Sequence, residues 1–171
     1  MADGLTDLPH GLTLRPAIES DRDFLRRLYA TTRIEELTPV PWTDAEKGAF
    51  IAVQFDAQDA AYHGAYPDGE FLIVLVDGEP VGRLYLARLP GELRIIDVTL
   101  TPEKRGRGIG AVLMRWVLGR ADRGGLSATL HVEPWNPAKR LYERLGFRTV
   151  ELRGIYEFMR RPAPTQLKTA S

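Results

Sequence analysis

The chain of 171 residues contains no cysteine. That excludes a disulfide, a thiol nucleophile and a zinc–thiolate site. Its three histidines, His10, His63 and His131, have no mutual metal-ligand spacing, so no metal is expected. Neither sign of charge is in excess: 23 Lys and Arg face 23 Asp and Glu, which argues against nucleic acid or an anionic membrane as the main partner. No apolar run reaches membrane-spanning length, and nothing before Leu12 reads as a signal peptide, so a cytoplasmic location is expected. Internal repeats and low-complexity tracts are also lacking. The remaining composition, 44% hydrophobic and 27% charged, is that of a globular chain long enough to bury one real core.

Periodicity and turn residues give the order of elements. Residues 1–11 read as a flexible leader, Leu12–Pro16 as a short strand, and Ser20 or Asp21 as the cap of a helix to about Thr32. Pro39-Val-Pro41 breaks the chain. Thr43 and Glu46 then form a capping box that opens a second helix to about His63. Strands are expected at Phe71–Val76, Val81–Ala87 and Leu93–Thr101, joined by turns at Asp77-Gly78 and Pro90-Gly91. A helix from Ile109 to about Asp122, a strand at Leu126–Val132, a helix at Pro137–Leu145 with Gly146 as its C′ residue, and a closing hairpin complete the pattern. Residues 162–171 read as a flexible tail. The result is an α/β mixed sheet with helices on both faces, order β-α-α-β-β-β-α-β-α-β-β, in one domain at 12–161. An edge strand near 155–160 offers a homodimer contact.

The segment Val98-Thr-Leu-Thr-Pro-Glu-Lys-Arg-Gly-Arg-Gly-Ile-Gly-Ala111 carries most of the chemistry. An apolar strand passes through a glycine-rich loop into a helix N-terminus. Glycines let the backbone approach a ligand closely, unpaired N–H groups point outward, and the helix dipole favours an anion. Arg105 and Arg107 add charge-assisted donors. A diphosphate fits such a loop, and two cofactors carry one. Gly106, Gly108 and Ala111 satisfy the dinucleotide spacing G-x-G-x-x-G/A, with Glu133 about 20 residues beyond. Against that reading, Pro102-Glu-Lys-Arg105 separates strand from glycine, hairpins rather than β-α-β units precede it, and too little chain follows.

The other reading is coenzyme A. Arg105-x-x-Gly108-x-Gly110 resembles the R/Q-x-x-G-x-G/A signature of the GNAT acyltransferase family. Asn136-Pro-Ala-Lys-Arg-Leu-Tyr-Glu-Arg-Leu-Gly-Phe147 is similar to the same family's later motif, with the alanine one place early. The resemblance spans roughly residues 12–160. It implies the strand order above, with the strands at 93–101 and 126–132 splayed to admit acetyl-CoA. It also implies that the Thr99, Leu100 and Thr101 backbone aligns the pantetheine, and that Arg105, Gly106, Arg107, Gly108, Ile109 and Gly110 hold the diphosphate. Asn136 would bond the pantetheine arm, or cap the helix opened by Pro137; both roles are compatible. Arg140 is either a solvated charge or a nucleotide contact.

Acyl transfer to an amine needs a neutral nucleophile, a stabilised oxyanion and a proton for the departing thiolate. An alkylamine of pKa ~10.4 is about one part in a thousand neutral at pH 7, so releasing the free base costs ~4–5 kcal/mol unless something takes the proton. The oxyanion wants backbone N–H donors, which the end of the 93–101 strand can offer. Tyr142 matches the position of the family's general acid; the plainer alternative is a core aromatic, beside the stripe of Ala138, Leu141 and Leu145. Asp97 is a candidate base because an acidic residue inside a strand is uncommon unless paired or functional. Glu133 is a second candidate, and either can instead pair with an arginine. Without cysteine, direct transfer in a ternary complex is favoured over a covalent acyl-enzyme. The acceptor is expected to be a small-molecule or peptide amine received by residues such as Arg33, Glu35, Glu36, Trp42, Phe55, Tyr62 and Tyr66; the plainer alternative makes Phe55 and Tyr62 core residues and the glutamates surface ones. A non-catalytic acyl-CoA-binding regulator on the same fold is the alternative.

Overall fold

The computed structural model describes residues 6–165. The elements are β1 (Thr6–Asp7), β2 (Leu12–Pro16), α1 (Arg22–Thr31), α2 (Ile34–Leu37), α3 (Asp44–Ala65), β3 (Glu70–Val76), β4 (Glu79–Leu89), β5 (Glu92–Leu100), α4 (Ile109–Arg123), β6 (Ser127–Val132), α5 (Lys139–Arg144), β7 (Arg148–Arg153) and β8 (Tyr156–Arg161). The strands form one mixed sheet in the order β1-β2-β3-β4-β5-β6-β8-β7. By contact density the chain divides into two compact units, Met1–Tyr85 with Asp97–Gly110, and Leu86–Ile96 with Ala111–Ser171.

In the first unit, β2 pairs antiparallel with β3 from Leu12↔Val76 to Pro16↔Leu72. Asp77 and Gly78 both take positive φ, 49° and 83°, as a type I′ hairpin turn demands. The core gathers Leu25, Tyr29, Phe55, Ile73 and Leu75, so Phe55 is a core residue rather than a wall of a pocket. Tyr29 and Phe55 meet with ring centroids 6.0 Å apart, and Arg22 ties α1 to α3 through Asp56 and Asp59. The Thr43–Glu46 capping box is present in both directions: Glu46 N–H donates to Thr43 Oγ1, and Thr43 N–H donates to Glu46 Oε2.

In the second unit, β5 pairs parallel with β6 from Glu92↔Ser127 to Ile95↔Leu130. β6 pairs antiparallel with β8, and β8 with β7. The buried side of α4 consists of Leu113, Met114, Val117, Leu118 and Ala121, the stripe that helical spacing marks out. Asp122 near its end bonds Arg161 of β8, whose guanidinium holds the carboxyl below the usual carboxylate range.

Several sequence expectations need correction. The edge of the sheet is β7, not the strand near 155–160, because β8 returns between β6 and β7. Asp21 does not cap α1. Its carboxylate accepts the Ile18 N–H at 2.8 Å and two bonds from Arg15, closing a 3-10 turn just before the helix. A one-turn helix, α2, follows α1, with Leu37 buried. The helix expected at 137–145 is shorter: Asn136 Oδ1 accepts the Ala138 N–H and Asn136 O accepts the Lys139 N–H, so these residues form a capping turn before α5. Within the expected leader, Thr6–Asp7 pairs antiparallel with β2, giving an eighth strand; residues 1–5 and 166–171 of the two expected flexible ends lie outside the described residues.

One missing side chain fixes how closely β4 and β5 approach. A Cβ on buried Gly82 would lie 2.5 Å from the Thr99 carbonyl oxygen and 2.8 Å from Leu100 Cδ2. Backbone cannot yield as a flexible side chain can. Gly82→Ala is expected to cost about 1–3 kcal/mol by overpacking, read as a lower denaturant midpoint with an unchanged slope. The same change at Gly48, where a Cβ meets nothing within 4 Å, is the control and is expected to lower stability by no such amount.

Candidate active site

The strand that precedes the glycine loop carries a buried charge network. Arg83 on β4 is 3% exposed, yet cationic. Its Nη2 donates to Asp97 Oδ2 at 2.9 Å and to Gln58 Oε1 at 2.8 Å, and its Nε donates to Asp97 Oδ1 at 3.3 Å. The guanidinium also sits 4.8 Å from the Tyr85 ring centroid. Burial pulls the Arg83 pKa down, but the charge and hydrogen bonds of Asp97 outweigh that and hold it above the usual arginine value. Burial likewise pushes the Tyr85 phenol up.

Asp97 thus occupies the place that sequence alone left open between proton acceptor and arginine partner, and here it partners Arg83. Both oxygens have a second donor as well. Thr99 Oγ1 donates to Oδ1 at 2.6 Å, and the Tyr62 hydroxyl donates to Oδ2 at 3.2 Å. Sequence reasoning missed Arg83. An arginine amid Val81, Leu84 and Leu86 was the available signal, since a buried cation demands an anion. Among residues expected at the acceptor pocket, Arg33 bonds the Tyr29 hydroxyl and Glu36, while Trp42 packs edge-on against Phe50.

The loop begins where β5 ends. The Thr101 N–H donates to Val81 O at 2.8 Å, and Pro102–Lys104 make a 3-10 turn before the glycines. Arg105 folds back: its Nε donates to Leu100 O and its Nη2 to Thr31 Oγ1, which pins the loop to the end of β5 and to α1. Gly106 and Gly108 take φ of 69° and 82°, left-handed values that disfavour side chains. A Cβ built on either meets nothing within 4 Å, so the backbone here faces open space. Ile109 and Gly110 open α4, whose first-turn N–H groups have no intrahelical partner. Open backbone at a helix N-terminus beside exposed Arg107 is what a diphosphate requires. The residues present fit that group.

Asn136 and Tyr142 belong to the second unit. Asn136 Oδ1 accepts the Ala138 N–H in the turn just before α5, a bond that does not use its Nδ2 donors. Tyr142 is half-buried on α5, its ring 5.9 Å from that of Phe147. The Gly146 N–H donates to Glu143 O, and the glycine has φ of 97°, the C′ geometry expected of it. Beside α5 lies an open groove of about 680 Å³ whose walls include Trp135, Asn136, Lys139, Arg140 and Arg144. Arg140 therefore faces a cavity as well as solvent.

Comparison with known proteins gives the family and the fold. The model of the acetyltransferase (GNAT) family matches residues 26–147. A mycothiol acetyltransferase of Thermobifida fusca is 36% identical over 121 residues, covering 68% of this chain and 33% of that protein. A mycothiol acetyltransferase of Nocardiopsis dassonvillei is 35% identical over 127 residues, covering 72% and 34%. The chain thus spans about a third of the length of the curated relatives it matches. Among solved structures, the PaiA N-acetyltransferase of Thermoplasma acidophilum, in complex with coenzyme A, shares the fold with a TM-score of 0.66 at 16% identity, covering 88% of this chain and 98% of that one.

The charge network makes a sharp prediction. Arg83→Met leaves the Asp97 carboxylate without its cation and is expected to cost about 3–5 kcal/mol, whereas adding Asp97→Leu restores most of that loss. Urea unfolding of both variants decides it. A double variant no more stable than the single one would show that the pair does not act as a unit.

Proposed function

Starting from the chain's membership of the acetyltransferase (GNAT) family, we propose that it moves the acetyl group of acetyl-CoA to a primary amine in a single ternary complex. The observation that carries this reading is the open left-handed backbone at Gly106 and Gly108, placed between β5 and the N-terminus of α4. In this reading the Thr99–Thr101 backbone lies along the pantetheine, and Arg105–Gly110 hold the diphosphate. Asn136 donates Nδ2 to the pantetheine arm while its Oδ1 keeps the cap. The reaction takes place in the cytoplasm.

The nitrogen–carbon bond forms as the carbon–sulfur bond breaks, and two protons must move. The amine's proton leaves towards the Tyr62 oxygen, while Tyr62 passes its own proton to Asp97 Oδ2 along the 3.2 Å hydrogen bond between them. The departing thiolate takes the proton of the Tyr142 hydroxyl. The relatives' names make a mycothiol-related amine the first acceptor to test, with small polyamines and peptide N-termini beside it.

Two variants test separate parts of the reading. Tyr142→Phe keeps the ring and removes the proton; kcat is expected to fall about 10²-fold or more, with the KM for acetyl-CoA little changed. An unchanged kcat would overturn the general-acid role and favour the regulator that binds acyl-CoA without turning it over. Gly108→Val puts a branched side chain into the space the diphosphate needs. Acetyl-CoA at about 100 times its Kd is expected to stabilise the native protein by ~2.7 kcal/mol, and that gain should vanish in the variant. Equal stabilisation of both proteins would remove the loop from the binding site.

A further inference from the structure

Among the described residues β7 ends the sheet, and all six of its residues are exposed. Leu152 is 72% exposed, and Val150, Ile155 and Tyr156 add apolar surface around it. An apolar edge of this kind is a template for another strand. The hairpin it shares with β8 sets which groups face outward. Arg153 pairs with Tyr156 across the two-residue turn Gly154-Ile155, and Gly154 at φ 63° occupies the first position of a II′ turn. Residues flanking such a turn exchange both backbone hydrogen bonds, and successive antiparallel pairs alternate between bonded and non-bonded. The next pair, Leu152 with Glu157, is therefore non-bonded. The N–H and C=O of Leu152 then point away from β8, to the open edge.

We propose that this edge joins two copies of the chain, β7 to β7, antiparallel about a twofold axis at Leu152. In that register Leu152 lies opposite Leu152 of the second copy, and their outward N–H and C=O groups bond each other. Glu151 lies opposite Arg153 of the second copy, and symmetry makes the pair twice. Moving the axis to Glu151 opposes two carboxylates, and moving it to Arg153 opposes two guanidinium groups. An axis at Val150 leaves Glu151 facing Thr149 and forms no ion pair. The charges that usually blunt an edge strand here select a single self-complementary register.

In the single chain the Arg153 guanidinium lies on the β8 side of the strand and turns outward to meet Glu151 of the second copy. Arg153 lies 3.8 Å over the Phe158 ring centroid, within 3.2 Å of His131 Nε2, and beside its own Glu151. The bulge between Thr149 and Glu151 turns the upstream end of the strand, which confines the new ladder to the residues around Leu152. This surface lies apart from the acetyl-transfer reading and stands or falls without it.

The test is sedimentation equilibrium of the full chain from low to high micromolar concentration. The wild type is expected to approach twice the single-chain mass. Glu151→Arg and Arg153→Glu each place two like-charged pairs across the axis, so each variant alone should sediment as one chain. Mixed in equal amounts they are mutually complementary and should regain the doubled mass as a heterodimer. Leu152→Pro removes an outward N–H that β8 does not use, a change edge strands tolerate, and should also give single chains with an unchanged far-UV spectrum. A wild type that stays at single-chain mass, variants that stay dimeric, or a mixture that fails to associate would each overturn the proposal.

Discussion

A buried positive charge governs how the first unit is built. Removing a guanidinium from water costs several kcal/mol even after the protein relaxes, and the cost falls only where acceptors surround it. Arg83 finds them on separate elements: both oxygens of Asp97 on β5, the Gln58 amide on α3, and the ring face of Tyr85 on its own strand. One side chain therefore holds the register of β4 against β5 and the seat of α3. Its neighbour Gly82 acts on the same strand through absence, because only a residue without a Cβ lets the Thr99 carbonyl come so near. The glycine loop inherits its place from β5, so the position of the proposed phosphate cradle rests on these two adjacent residues.

The loop itself is fixed from both ends. Arg105 reaches back to the Leu100 carbonyl and to Thr31, so one of the two arginines expected at the diphosphate also ties the loop to its strand. An arginine has five donors, and two bonds to neutral oxygens leave others for an anion. Arg107, exposed and between two left-handed glycines, has no such tether among the described residues. The two charges divide the work: one shapes the loop, the other extends from it.

What could be read from sequence was local. The Asp77-Gly78 turn, the Thr43–Glu46 box, the Gly146 C′ residue and the glycine loop each depend on residues within about five positions, and each is present. The misreadings concern partners that compete for the same group or strand. Asp21 looked like a cap, but Ile18 and Arg15, three and six residues back, claim its carboxylate first. The edge strand was misplaced because hairpin pairing fixes β7 against β8 but leaves open which of them joins β6. Arg83 gave no motif, since its anion lies fourteen residues away on another strand. Asp97 was marked as unusual by its place in the strand, and the structure supplies the physical reason, a cation within hydrogen-bond reach.

That cation also limits how Asp97 can take part in the proposed transfer. Arg83 grips both carboxylate oxygens, Nε on Oδ1 and Nη2 on Oδ2, so the group cannot rotate towards a substrate without breaking the ion pair that seats β5. Thr99 takes a further share of Oδ1. A neutral donor on Oδ2 is the Tyr62 hydroxyl, carried on α3. A proton arriving through that hydroxyl leaves every bond to Arg83 in place, whereas one arriving directly must displace a donor the fold depends on. The proposed relay through Tyr62 is therefore the route by which one carboxylate would serve both the architecture and the proposed transfer.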